Sequence, residues 1–188
     1  MTTQNTQDIF TLLTAPTYYP LQTKMGYCWP CQVKTIIETK TKEDKVERFY
    51  TTTLRERVVW GMSPFSIYKI LRKYGFHAKI GFLKGQTQHK VEYIKRKLAT
   101  GPVILLVFNA PKANERFAIF RALFKHHYIS VRWYNDTTQE FYIYNSNPKK
   151  EVRKDIPIGN QVFTYKEIIQ LGKYTGLWLV RNLYISLG

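Results

Sequence analysis

Covalent chemistry in this 188-residue chain would start from two cysteines, Cys28 and Cys31, and four histidines. A thiol that attacks an amide needs a base, a group that orients the base, and donors for the oxyanion. Cys28 stands where an irregular stretch punctuated by Pro16, Pro20 and Gly26 gives way to a helical pattern. Pro30 suits a first turn, and Val33, Ile36 and Ile37 form one apolar stripe. A helix N-terminus lowers a thiol's pKa, so a thiolate is expected at Cys28, several units below the ~8.5 of a free thiol. Gln22, in the irregular stretch, can fold back so that its NH₂ joins the Cys28 N–H as an oxyanion donor.

The base would be a histidine. His77 and His89 lie in ordinary polar surroundings between helices, whereas His126 and His127 open a strand pattern. Alternation separates the last two: Ile129, Val131 and Trp133 share a face with His127, and Tyr128, Ser130 and Arg132 share one with His126. His127 is the core-facing choice. On the next strand Phe141, Ile143 and Asn145 share a face, so Asn145 is expected to accept the imidazole N–H and fix its tautomer. Asn147 has the same parity and is the reserve.

These residues need elements to hold them. Helical patterns run from Cys28, from Val46 to Val59, from the Ser63-Pro64 cap to Gly75, through Val91, Ile94 and Leu98, and over 162–171 after a Thr164 cap. Strand patterns cover 77–82, 103–108, 128–134, 141–144 and 177–187, with Asn135-Asp136-Thr137-Thr138 as a hairpin turn. No repeat or linker divides the chain, so 1–188 reads as one α+β domain with 1–20 irregular. Its N-terminal helical part would pack the Cys28 helix on a C-terminal twisted antiparallel sheet. The segment 109–125, with Phe117, Phe120 and Phe124 among Arg116, Arg121 and Lys125, is expected to cover part of a cleft.

Several motifs together resemble a known family. Gln22-Thr-Lys-Met-Gly-Tyr-Cys28-Trp29 resembles the papain-type nucleophile motif. Gly101-Pro102 with its apolar run, His127-Tyr-Ile-Ser-Val-Arg-Trp-Tyr-Asn-Asp and Phe-Tyr-Ile-Tyr-Asn145 resemble the bacteriocin-processing, double-glycine-leader peptidases and their stand-alone relatives. Ser63 to Phe76 and Gly159 to Ile169 resemble that family's middle helix and closing segment. The resemblance implies a papain-like fold and a cysteine peptidase in which Gln22 serves the oxyanion hole, Cys28 attacks, His127 is the base and Asn145 orients it. The bacteriocin-processing relatives usually carry Asp where Asn145 stands.

Other chemistries share these residues. Cys28-Trp29-Pro30-Cys31 has the C-x-x-C spacing of thiol–disulfide oxidoreductases, but that fold needs a buried strand running into the motif, and Tyr19 to Gly26 is none. A papain-like shell used as a cationic binding module, and acyl transfer from the same Cys–His pair, stay open. Two cysteines are too few for a disulfide framework. No cofactor and no metal ligand set is expected.

Composition sets the remaining bounds. With 44% hydrophobic and 15% aromatic residues the chain is no disordered polymer. No apolar run approaches the ~20 residues of a membrane span, and residues 1–25 lack the order of a secretory signal. The chain is therefore expected in the cytoplasm as synthesised, with later export by another route left open. Lys and Arg number 29 against 13 acidic residues, a formal charge of +16. Such a field suits a peptide or protein substrate of acidic character, and by charge alone nucleic acid or an anionic membrane.

Overall fold

The computed structural model describes residues 21, 28–41, 64–108, 126–148, 152–156, 158–173 and 182–188. Four helices and six strands lie among them: α1 (Cys28–Thr41), α2 (Pro64–Lys73), β1 (Ala78–Phe82), α3 (Thr87–Leu98), β2 (Val103–Phe108), β3 (His126–Asn135), β4 (Glu140–Asn145), β5 (Gln161–Thr164), α4 (Tyr165–Lys173) and β6 (Leu183–Leu187). All strands join one antiparallel sheet in the order β1-β6-β2-β3-β4-β5. The helix expected over Val46–Val59 lies outside the described residues, as do the segment 109–125, Gln22 and residues 1–20.

The unbroken apolar run of β2 follows from its place near the middle of the sheet, where both faces are covered. Ile104 and Leu106 point into a core formed with Val33, Ile36 and Ile37 of α1 and Ile67 and Leu71 of α2. Val103, Leu105 and Val107 point the other way, to Val91, Ile94 and Leu98 of α3 and Ile168 and Ile169 of α4. The α+β class thus stands, but the layout differs from a helical first half set on a C-terminal sheet. Helices cover both faces, and β1, from the middle of the chain, closes one edge.

Local signals end the helices as their chemistry requires. After α2, Phe76 N–H donates to Leu71 O (3.0 Å) and Gly75 N–H to Arg72 O (3.0 Å), with Gly75 at φ 77°. This double bond over a left-handed residue is the stop that glycine permits. At the start of α4, Thr164 N–H donates to Glu167 Oε2 (2.8 Å) while Glu167 N–H donates to Thr164 Oγ1 (3.2 Å), a reciprocal capping box. The helix therefore begins at Tyr165. The residues before it, read as helical from 162, form the short edge strand β5 instead, because Phe163 and Gln161 pair with Phe141 and Ile143.

Candidate active site

The helix α1 is anchored to the sheet by polar side chains. Gln32, fully buried one turn after Cys28, donates from Nε2 to Tyr128 O (3.1 Å) and Tyr144 O (3.4 Å). It therefore bridges β3 and β4 at the carbonyls next to His127 and Asn145. Its Oε1 is buried and has no hydrogen-bond partner among the described residues. Lower on the helix, Arg132 reaches from β3, donating from Nε to Ser130 Oγ (2.9 Å) and from Nη2 to Thr35 Oγ1. These contacts fix both the height and the rotation of α1 against the strand pair.

Neither Cys28 nor Cys31 is in a disulfide, and both are buried. Burial pushes the Cys28 thiol pKa up; hydrogen bonding from the backbone of Tyr128, Trp29 and Cys28 itself pulls it back, and charge on Cys31 raises it further. The net direction is upward. This corrects the expectation of a strongly acidic thiol: the helix terminus supplies N–H donors, but desolvation outweighs them. The bond from Tyr128 also locates the sulfur beside the peptide unit that joins His127 to Tyr128.

His127 is buried, and β2–β3 register sets it opposite Val107. Ile129 pairs with Asn145, which brings the two polar residues to the same face. His127 Nε2 lies 2.6 Å from Asn145 Oδ1. Asn147, the reserve, is exposed; its backbone N–H donates to that same Oδ1 (2.9 Å). Asn145 in turn donates from Nδ2 to Gln161 Oε1 (2.9 Å). Its backbone is clasped by the Asn160 side chain, which accepts from Asn145 N–H (2.9 Å) and donates to Asn145 O (2.8 Å).

The alternation that separates His127 from His126 holds only for part of β3. A bulge between Val131 and Trp133 shifts the register, so Trp133 pairs with Tyr142, their tilted rings 4.8 Å apart at the centroids. Trp133 therefore lies on the face opposite Ile129 and Val131, contrary to simple period-two counting. His127, four residues before the bulge, is unaffected.

Sequence reasoning passed over Gln32, Asn160 and Gln161. Gln32 carried one usable signal, since position i+4 from Cys28 lies on the same helix face. Gly159 carried another. It sits at φ 94°, and a Cβ there would lie 2.6 Å from Ile143 O, so only glycine lets this segment approach β4.

No protein-family model and no curated protein matches the chain. Among solved structures it is similar to a double glycine motif protease from an AMS/PCAT transporter, solved in complex with the leader peptide. The TM-score is 0.56, with 93% of this chain and 92% of that chain covered at 13% identity. The two chains share a fold. At this identity the likeness is one of architecture. Among the described residues no helix is long and apolar enough to cross a membrane.

Proposed function

We propose that the chain is a papain-like cysteine peptidase in which Cys28 is the nucleophile, His127 the base and Asn145 the group that orients it. The observation that carries this reading is the buried contact of His127 Nε2 with Asn145 Oδ1, on strands that Gln32 ties to the helix bearing Cys28. An imidazole whose Nε2–H is engaged in this way leaves Nδ1 to accept a proton. The shared peptidase fold supports the same reading, and so does the leader peptide bound to that neighbour: the substrate is a peptide. Gln22 is the proposed second oxyanion donor, beside the backbone N–H of Cys28.

Burial, which pushes the Cys28 thiol's pKa up, favours the neutral thiol at rest. As sulfur attacks the substrate carbonyl, Nδ1 of His127 takes the thiol proton, and Asn145 Oδ1 steadies the imidazolium. The proton then passes to the leaving amine, an acyl-enzyme remains, and water releases the acid by the reverse sequence.

The test is intact-mass measurement after incubation with an epoxide or vinyl-sulfone thiol inhibitor, with mapping of the modified cysteine. One adduct on Cys28, lost in His127→Ala, is expected. Because burial raises the thiol's pKa, labelling of the wild type by a small alkylating reagent should be slow at about pH 6. It should climb through the alkaline range above the ~8.5 of a free thiol. Modification of Cys31 instead, labelling indifferent to His127, or a Cys28–Cys31 disulfide that tracks activity would overturn the proposal.

A further inference from the structure

Among the described residues three neighbours contact the side-chain amide of Asn145, and one of them shows which of its ends is oxygen. The backbone N–H of Asn147 can only donate, and it lies 2.9 Å from Oδ1. That end of the amide is therefore oxygen, and the ring nitrogen 2.6 Å from it, His127 Nε2, carries hydrogen. The other end, Nδ2, is buried and requires an acceptor. Gln161 Oε1 meets it at 2.9 Å, and Gln161 is itself only 2% exposed.

The chain takes trouble to put an acceptor there. β4–β5 pairing sets Gln161 opposite Ile143, on the face that carries Asn145. The preceding Asn160 occupies the strand-like place beside the Asn145 backbone, through two side-chain bonds. Asn160 N–H adds a bond to Ile143 O (2.8 Å), and Gly159 makes that approach sterically open.

We infer that Gln161 is a positioning residue for this site. By accepting from Asn145 Nδ2 it holds the amide oxygen on His127, and so keeps the neutral imidazole in its Nε2–H tautomer with Nδ1 as the basic nitrogen. The consequence for turnover rests on the peptidase reading; the tautomer does not. Two substitutions separate orientation from packing. Gln161→Met keeps the length and removes the acceptor, so Nδ2 is left unpaired, only the Asn147 N–H still orients the amide, and the hold on a single ring tautomer weakens. Gln161→Glu keeps an acceptor and adds negative charge two hydrogen bonds from the ring, which favours the imidazolium and raises the His127 pKa.

The experiment is ¹⁵N-imidazole NMR of the full chain across a pH titration, in wild type and both variants, with turnover measured in parallel. In wild type the neutral His127 should be purely Nε2–H. Gln161→Met should give a mixture of tautomers and a turnover lower by roughly 10-fold or more. Gln161→Glu should keep the Nε2–H form and titrate about half a unit to one unit higher. A wild-type ring protonated on Nδ1, or variants that both titrate like wild type, would overturn the inference. Should Gln161→Met not fold, Gln161→Glu decides alone, and an unshifted titration refutes it. Failure of the peptidase reading has its own signature: Cys28 labelling in wild type that ignores His127, whatever the ring spectra show.

Discussion

At one end of the β3–β4 pair, His127, Asn145, Asn160 and Gln161 are all buried and joined by hydrogen bonds among amides and one imidazole. At the other end the hairpin turn is held by an ion pair, Lys95 Nζ to Asp136 Oδ1 at 2.6 Å, with Asp136 56% exposed. Tyr165 donates to the same carboxylate (2.7 Å), and Lys95 lies over the Tyr134 and Tyr165 rings. The same two strands are thus finished by two different kinds of chemistry. Near water a charge pair is cheap to make and worth little. Away from water every donor must meet an acceptor, because an orphan costs its full desolvation, about 1–3 kcal/mol. The amide end is therefore the one with a single permitted arrangement, which is what the proposed base needs.

The largest effect should come from cutting the amide end at its centre. Asn145→Ala leaves the His127 ring without its acceptor and Gln161 without its donor. Turnover on a peptide substrate should fall roughly 10²-fold or more, as expected when a general base loses its orientation. Turnover within a factor of two of wild type would show that the buried end is scaffolding only.

Next comes the backbone that presses on that end. Gly159→Ala would set a Cβ 2.6 Å from Ile143 O at a φ of 94°. Strain of this kind costs about 2 kcal/mol, which in a domain of this size lowers Tm by roughly 4–8 °C in a thermal melt. An unchanged Tm would mean that the segment moves aside freely and that the Asn160 clasp is loose.

The smallest effect should appear at the hairpin end. Burial raises the Asp136 carboxyl's pKa, but hydrogen bonds from Lys95 and Tyr165 and the Lys95 charge outweigh it, so the net shift is downward. Lys95 is raised correspondingly: burial lowers it, and Asp136 and Glu92 more than compensate. A depressed carboxyl contributes stability above its unfolded pKa and loses it as pH falls through the folded value. Asp136→Asn should therefore cost less than about 1 kcal/mol at neutral pH. The gap to wild type in chemical denaturation should close as pH drops below the ordinary carboxylate range. A cost comparable to that of Gly159→Ala would erase the contrast between the two ends.

Much of this arrangement is legible in the residue order because it is local. An unbroken apolar run marks β2, period-two apolarity marks β3 and β4, Pro30 and the stripe after it mark α1, and Thr164 marks the start of α4. His127 and Asn145 follow from parity on adjacent strands joined by a short turn, and the register brings them to one face.

What the residue order did not reveal depends on contacts between distant parts of the chain. Gln32 meets carbonyls 96 and 112 residues away, and Asn145 meets a glutamine 16 residues on, beyond a loop. Nothing in a glutamine's neighbours announces such a partner. The bulge that turns Trp133 to the other face exists only in the pairing of β3 with β4, so counting along one strand misses it. The Cys28 thiol makes the point most directly. Its place at a helix start is a local fact and argues for a low pKa, but how much water reaches the sulfur is set by α1, β3 and the core around them. Sequence determined which side chains could react and on which elements they stand. Tertiary structure decided their burial and partners, because solvation and hydrogen-bond satisfaction are properties of the whole packed neighbourhood.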